Sequence, residues 1–136
     1  MKLHLQIITP YGIYLEKDVD FLSVTSSTSV LGILPNHAPL ISDVLLGEIM
    51  IRNDGVEEYF ATSGGLLKIS KEKTILLLDT IESESQIDIE RAENSKKRAQ
   101  TRLEDFKKGV DIDAARAEAS LSRAVNRLKV ASRRNP

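Results

Sequence analysis

The chain has 136 residues, enough for one domain of ordinary size or for a small domain with an appendage. Hydrophobic residues make up 41% and charged residues 29%, a balance that permits a packed core and excludes full disorder. The lack of cysteine excludes disulfides and thiolate chemistry. With His4 and His37 as the only histidines, we predict neither a metal site nor catalytic residues.

Residues 1–84 have the pattern of short antiparallel strands. Apolar and polar residues alternate from Leu3 to Ile7, which is typical of a half-buried strand. Asn-Asp-Gly at residues 53–55 predicts a tight hairpin turn. The other predicted strand segments are Val19–Val24, Glu48–Arg52, Val56–Thr62, Leu66–Ile69 and Thr74–Leu78. Such regular spacing predicts an antiparallel β-sandwich as the first domain.

After Ser83 the hydrophobic period changes to that of helices. The predicted first helix ends at Gly109, and its apolar face is Ala92, Ala99, Leu103 and Phe106. Asp111 or Asp113 is expected to cap a second helix, whose seam is Ala117, Leu121, Ala124, Leu128 and Ala131. The short connection between them predicts an antiparallel helical hairpin over residues 85–136, and therefore an α+β chain overall.

The alanine-rich seam of the second helix predicts a weakly held hairpin. Each alanine buries little apolar area, so at ~25 cal/mol per Å² self-packing contributes only a few kcal/mol. We therefore expect the two helices to be movable relative to the rest of the chain.

Charge is distributed unevenly along the chain. Residues 1–85 carry 6 Lys and Arg against 12 Asp and Glu, whereas residues 86–136 carry 13 against 8. A basic C-terminal part predicts an anionic partner. Nucleic acid is not expected, because no aromatic residue follows Phe106 to stack on bases. The start of the chain alternates rather than being uniformly apolar, so we predict no signal peptide and a cytoplasmic location.

Five segments carry a family resemblance, and they occur in a characteristic order. They are LQIITPYG (residues 5–12), LGILPNHAPL (31–40), SGG (63–65), IDIERA (87–92) and ASLSRAVNRLKVA (119–131). In these segments and their order the chain resembles the epsilon-subunit family of F-type proton-translocating ATP synthases, of the bacterial type, over essentially its full length.

The resemblance implies a non-catalytic rotor subunit of the central stalk. The sandwich of residues 1–84 would bind the gamma subunit and the c-ring, and so couple rotation to proton transport. The hairpin of residues 85–136 would be regulatory, either folded or extended toward the alpha and beta subunits, where it inhibits ATP hydrolysis. The chain would be peripheral at the cytoplasmic face of the cell membrane, associated with it only through the complex.

The resemblance also implies a regulatory ATP site, with or without Mg²⁺, and no required cofactor. The residues carried over to it are Glu82, Ile87, Asp88, Arg91 and Ala92. Helical spacing adds Arg98, on the same face as Arg91, and the pair Arg123 and Arg127 of the second helix. Arginine side chains bind phosphate oxygens in a bidentate manner, and a folded hairpin would bring four of them around a triphosphate. The alternative is an ordinary helix start, with Ser85 as the cap, Asp88 as a first-turn acid and Arg91 solvated. No glycine-rich phosphate loop is present.

Two further alternatives stay open from the residues alone. Gly32–Leu40 is either a simple strand connection or, as the resemblance implies, a contact with the c-ring or the gamma subunit. The whole chain is either the rotor subunit or a free-standing β-sandwich adapter whose basic helices bind a partner coiled coil. Copurification with alpha, beta, gamma and c polypeptides distinguishes the two functions.

Overall fold

A computed structural model describes residues 1–134, which divide between two compact units, Met1–Ser83 and the described residues from Glu84 onward. The first unit holds ten strands and the second holds two helices, so the predicted α+β order of sandwich followed by helical hairpin is confirmed. The last two residues of the predicted second domain lie outside the described residues. Neither helix in the described part combines the length and hydropathy needed to cross a membrane.

The first unit consists of two five-stranded sheets. Sheet 1 has the strand order β2-β1-β9-β8-β5, formed by Gly12–Val19, Leu3–Thr9, Thr74–Leu78, Gly65–Ile69 and Leu40–Val44. Sheet 2 has the order β10-β7-β6-β3-β4, formed by Ile81–Ser83, Val56–Thr62, Gly47–Asn53, Phe21–Thr25 and Val30–Ile33. All neighbouring strands are antiparallel except β1 and β9, which run parallel.

The core of the sandwich follows from the period-two alternation of its strands. Leu3, Leu5 and Ile7 of β1 are buried, and the residues between them are less so. The same alternation buries Leu76 of β9, and Phe60 is the largest fully buried side chain. Every residue of this core cluster belongs to the first unit, so the sandwich has a hydrophobic core of its own.

One strand prediction is wrong, because Val19–Val24 is not a single strand. Strand β2 ends at Val19 in sheet 1 and β3 begins at Phe21 in sheet 2, so the chain changes sheets at Asp20. The Asp20 carboxylate accepts a hydrogen bond from the backbone N–H of Asp54 at 2.8 Å and binds the Lys2 amine at 3.1 Å. These contacts fix the point where the chain passes from sheet 1 to sheet 2. They cannot be predicted from a hydrophobic pattern.

The predicted Asn-Asp-Gly turn is confirmed by its backbone geometry, and the Gly64-Gly65 pair is a second place where the backbone requires glycine. Asp54 and Gly55 both have positive φ, as a two-residue hairpin turn between β6 and β7 requires. Gly64 has φ +114°, and Gly65 packs so closely on β9 that an added Cβ would lie 1.9 Å from the Leu77 carbonyl oxygen. Only glycine fits at either position of this pair.

The helices are α1 (Ile89–Lys107) and α2 (Ala114–Ala131), followed by a short 3₁₀ turn, Ser132–Arg134. Asp113 caps α2 by accepting a hydrogen bond from the backbone N–H of Arg116 at 3.0 Å. The end of α1 is closed at Gly109, which has φ +90°, and the N–H of Val110 reaches back to the Asp105 carbonyl at 3.0 Å. The predicted ends of both helices are therefore confirmed at these positions.

The two helices pack together as an antiparallel pair. The Arg134 guanidinium donates hydrogen bonds to the carbonyls of Glu84 and Ile87, so the end of the second helical segment lies beside the start of α1. The alanines of the predicted seam are buried, namely Ala92, Ala99, Ala117, Ala124 and Ala131. The assignment of Phe106 to the apolar face is wrong, because its side chain is 50% exposed. Val130, which was not assigned to the seam, is fully buried.

A histidine bridges two carboxylates on the outer surface of sheet 1. His4 Nδ1 lies 2.8 Å from an Asp18 oxygen, and Nε2 lies 2.9 Å from a Glu16 oxygen. Both ring nitrogens must carry a proton to donate to both carboxylates, so this geometry belongs to the imidazolium form. The hydrogen bonds that His4 donates to Glu16, first, and to Asp18 raise the pKa of His4 above its usual 6.5.

We therefore expect the stability of the sandwich to fall as pH rises through the raised pKa of His4. A raised folded-state pKa means that the stabilisation is fully present below the unfolded value and is lost on deprotonation. Chemical denaturation of the chain at a series of pH values from about 6.5 upward measures this dependence. His4→Gln should flatten the profile in that range, and an unchanged profile would show that the bridge contributes nothing.

Candidate functional site

The IDIERA segment forms the start of α1, and Asp88 is its N-cap. The Asp88 carboxylate accepts a hydrogen bond from the backbone N–H of Arg91 at 3.0 Å, and its carbonyl accepts from Ala92 at 3.0 Å. The expectation that Ser85 caps the helix is wrong, because α1 begins only at Ile89. Asp88 therefore stabilises the helix start whether or not a ligand binds there.

Four arginines of the hairpin lie at neighbouring levels along its axis. Arg91 and Arg98 are seven residues apart, which is about 11 Å of helix, and Arg123 and Arg127 are about 6 Å apart. Counting back along α2 from Arg134, which lies beside Ile87, places Arg123 level with Arg98. The same count places Arg127 between the levels of Arg98 and Arg91.

These arginines also lie on one side of the hairpin. Arg91, Arg98 and Arg123 each come one position before a buried alanine of the seam. Because α1 and α2 run in opposite directions, the residue before a seam position projects to the same side on both helices. Arg127, three positions after Ala124, also projects to that side. We call these four residues the arginine face.

Two side chains of the arginine face donate hydrogen bonds to serine hydroxyls of their own helix. Arg98 donates to the Ser95 hydroxyl at 3.1 Å, and Arg123 donates to the Ser120 hydroxyl at 3.2 Å. Both are bonds within one helix between neutral and charged groups, and no ion pair with a carboxylate is found for either arginine among residues 1–134. An anion therefore has access to the guanidinium groups of Arg98 and Arg123, which no carboxylate among residues 1–134 neutralises.

The remaining residues carried over for this site are more dispersed. Ile87 and Ala92 are buried, with 3% and 4% of their surfaces exposed, so neither side chain is available to a ligand in this arrangement. Glu82 lies in β10, in the first unit. The structure thus brings together the arginines and the Asp88 cap within the second unit, and it places Glu82 in a separate unit.

A second candidate surface is an apolar row across the outer face of sheet 1. Ile8 is paired with Ile13 of β2 on one side and with Leu77 of β9 on the other, and Leu77 is paired with Leu66 of β8. Ile13, Leu66 and Leu77 are 59%, 50% and 46% exposed, and Tyr11 at the adjoining turn is 99% exposed. We call Ile8, Ile13, Leu66 and Leu77 the apolar row.

Sequence reasoning missed the apolar row, although a signal for it exists. Each of its residues occupies the outward position of a strand whose inward positions are also apolar, as in Leu66-Leu67 and Leu76-Leu77. Consecutive apolar residues in a strand place one of them on the solvent side, and four in register form a patch. Their alignment depends on the pairing of strands that are distant in sequence, which the pattern does not give.

The LGILPNHAPL segment forms the end of β4, a loop and the start of β5. Asn36 has φ +66°, and the N–H of His37 donates to the Leu34 carbonyl at 3.2 Å, so a turn forms at the tip. The His37 ring donates from Nδ1 to the Ala38 carbonyl at 2.7 Å. Leu34 remains 59% exposed, which leaves an apolar contact beside the polar tip.

No arrangement of metal-ligating side chains accompanies these surfaces. Among residues 1–134, no group of three or more His, Cys, Asp or Glu side chains is placed to hold a metal ion. The arginine face offers binding of anions, and the apolar row offers binding of an apolar partner.

Comparison with protein families places both units of the chain in one family. Residues 2–84 match the family described as ATP synthase, Delta/Epsilon chain, beta-sandwich domain. Residues 85–132 match the family described as ATP synthase, Delta/Epsilon chain, long alpha-helix domain.

Curated relatives include proteins named ATP synthase epsilon chain from several bacteria. The protein from Bacillus mycoides is 38% identical over 105 residues, covering 77% of this chain and 79% of that one. The protein from Desulfitobacterium hafniense is 39% identical over 107 residues, covering 79% and 80%. The protein from Halalkalibacterium halodurans is 40% identical over 105 residues, covering 77% and 79%.

Two solved structures share the fold at low sequence identity. A chain of the Euglena gracilis mitochondrial ATP synthase, in a structure of OSCP, F1 and the c-ring, matches with a TM-score of 0.79 at 14% identity, covering 92% of this chain and 78% of that one. A chain of the Tetrahymena thermophila mitochondrial ATP synthase central stalk and c-ring matches with a TM-score of 0.57 at 16% identity, covering 100% and 98%.

Proposed function

The chain belongs to the ATP synthase delta/epsilon family, in which the epsilon chain is a non-catalytic subunit, and from this membership we propose a role in the rotor. The sandwich binds the gamma subunit and the c-ring and couples rotation to proton transport. The helical hairpin restrains ATP hydrolysis by extending toward the alpha and beta subunits. ATP, with or without Mg²⁺, favours the folded hairpin.

The apolar row carries the proposal for the sandwich. Four aligned apolar side chains with an exposed tyrosine beside them form a contiguous patch of the kind that marks a protein interface. Subunits that turn together need a permanent interface, and such interfaces are more hydrophobic than transient ones. The gamma subunit is the partner we assign to this patch, and the loop of residues 34–39 extends the rotor contact.

Leu77→Asp is expected to weaken assembly with the gamma subunit by more than tenfold. A leucine side chain contributes about 1.5–3 kcal/mol when it is fully buried, and the substitution also places an unpaired charge in the interface. Copurification of the tagged chain with alpha, beta, gamma and c polypeptides measures the effect. Because Leu77 is 46% exposed in the free chain, the sandwich itself should still fold, which circular dichroism checks.

Val56→Asp is the matched control, because Val56 is 62% exposed at the start of β7 in sheet 2. It should copurify like the parent. Equal loss in both variants would point to general destabilisation, and full retention by Leu77→Asp would contradict docking through the apolar row. Copurification with a coiled-coil protein alone would instead favour the adapter function.

The arginine face supports the proposal that the hairpin senses ATP. A triphosphate carries about four negative charges, and the folded hairpin places four arginines on one side, at levels that span about 11 Å of helix. An extended hairpin separates α1 from α2 and so separates these charges. ATP therefore has a higher affinity for the folded form, and it shifts the equilibrium by this difference in affinity and by no more.

The size of that shift is comparable with the packing that it competes against. At one hundred times its dissociation constant, a ligand that binds one form alone stabilises it by ~2.7 kcal/mol. The alanine seam contributes only a few kcal/mol at ~25 cal/mol per Å². The hairpin then folds when ATP is plentiful and extends when ATP falls.

This function places the chain at a membrane only through its partners. No described helix could span a bilayer, and the contacts proposed here are with other subunits. We assign the chain to the cytoplasmic face of the cell membrane as a peripheral part of the complex. Fractionation of membranes with and without the c-ring tests this location.

A further inference from the structure

One side chain joins the two ends of the helical hairpin. Arg134, in the 3₁₀ turn after α2, donates from the same guanidinium nitrogen to the Glu84 carbonyl and, at 3.1 Å, to the Ile87 carbonyl. These acceptors are 50 and 47 residues away in sequence, and both precede α1. All three residues belong to the second unit.

This contact lies at the end of the hairpin from which the two helices can separate. The other end of the hairpin is closed covalently by the short connection between Lys107 and Ala114, so α1 and α2 can separate only from the end that Arg134 joins. A guanidinium group always carries its charge and presents several donors in a fixed plane, so one side chain can hold two carbonyls. The alanine seam between the helices adds little packing of its own.

The same contact bears on the start of α1. The Ile87 carbonyl is immediately before Asp88, whose carboxylate caps the helix at the N–H of Arg91. Holding residue 87 therefore fixes the approach to the cap and the direction in which the Arg91 side chain leaves the helix. Arg134 acts on the start of α1 through the backbone carbonyls of residues 84 and 87.

We propose that Arg134 is a positioning residue that closes the open end of the helical hairpin and aligns the start of α1. The closure is a property of the isolated chain. Its regulatory consequence, that loss of the contact lowers ATP affinity and favours the extended form, rests on the function proposed above. The two statements are measured separately.

The closure is tested with two spectroscopic labels in the full chain. Because the sequence has no cysteine, Glu93→Cys and Lys129→Cys, both exposed, give specific attachment points near the end that Arg134 joins. Arg134→Ala should raise the population with widely separated labels roughly three- to tenfold, the range expected for losing hydrogen bonds of this kind. Arg134→Lys keeps the charge without the planar fork, so it should fall between the alanine variant and the parent.

Arg116→Ala is the matched control, because it removes an equal charge from the first turn of α2, at the opposite end of the hairpin. It should leave the label distance unchanged. The proposal is overturned if Arg134→Ala leaves the distance distribution of the parent intact, or if Arg116→Ala opens the hairpin equally, which would indicate a general charge effect.

Titration of the same labelled chains with ATP separates the closure from its regulatory consequence. If both proposals hold, Arg134→Ala opens the hairpin and also lowers the apparent ATP affinity in proportion to the folded fraction that remains. Opening without any ATP response in variant or parent supports the closure and contradicts the ATP site. An ATP response with no opening in Arg134→Ala supports the ATP site and contradicts the closure.

Discussion

Arg91→Ala should weaken the binding of ATP to the isolated chain by about tenfold or more. A charge-assisted hydrogen bond contributes roughly 1.5–3 kcal/mol, and each 1.4 kcal/mol is a factor of about ten in the dissociation constant. Arg91 is exposed, and its backbone N–H, not its guanidinium, serves the Asp88 cap. The substitution therefore removes a ligand contact and leaves the helix start in place. Calorimetric titration with ATP measures the change.

Two variants make this titration specific. Lys97→Ala removes an equal charge from an exposed position of α1 five residues beyond the buried Ala92, which points away from the arginine face. It should bind like the parent. Asp88→Asn keeps a side chain that can cap the helix while removing its charge, so it separates a ligand contact from the loss of the cap. If the parent gives no saturable signal at millimolar ATP, residues 87–92 are an ordinary helix start and not a ligand site.

Deleting residues 87–136 should increase ATP hydrolysis by the assembled complex. The core cluster of the sandwich lies entirely within the first unit, so the truncated chain should fold and still present the apolar row. If the extended hairpin is favoured by about 1.4 kcal/mol in the complex, its removal raises hydrolysis about tenfold. The measurement is the steady-state rate of hydrolysis at low ATP, where the extended form should dominate.

The control for this deletion is the amount of truncated chain in the purified complex. A complex that has lost the whole chain would also lack the hairpin, and its hydrolysis rate would say nothing about the deletion. Adding ATP to the intact complex should bring its hydrolysis rate, corrected for substrate saturation, toward that of the truncated one. Equal rates for the intact and truncated complexes at low ATP would contradict inhibition by the hairpin.

Much of the fold follows from local signals in the sequence. The Asn-Asp-Gly turn fixes the register of β6 and β7, because positive φ at two successive residues is available there and almost nowhere else nearby. The alanine spacing predicts the seam of α2, and Asp113 and Gly109 mark helix ends. Each of these signals acts within a few residues, where chain geometry alone decides the structure.

Most of the errors and omissions concern contacts that are distant in sequence. The sheet change at Asp20 depends on Lys2, just before β1, and on Asp54, in the turn between β6 and β7. The first cap is Asp88, although Ser85 has an equally suitable side chain, because the helix begins only at Ile89. The apolar row needs the register of four strands, and Arg134 acts across about 50 residues. The hydrophobic periodicity of a sequence gives no information about such distant partners.

The candidate sites also combine features that are visible in the sequence with features that depend on packing. The arginine positions are visible in the sequence, but their common side depends on the antiparallel packing of α1 against α2. The burial of Ile87 and Ala92 could not be derived from the motif, because a motif gives residue types and not the surface that each one occupies.

The parallel pairing of β1 with β9 determines the order of events during synthesis. Leu5 pairs with Thr74 and Ile8 with Leu77, so the first strand has no partner on that side until nearly eighty residues have left the ribosome. Contacts of such large sequence separation form slowly, whereas the two helices close on each other through local contacts. The sandwich should therefore be the slow-folding part of the chain, with the exposed edge of β1 most prone to aggregate while it waits.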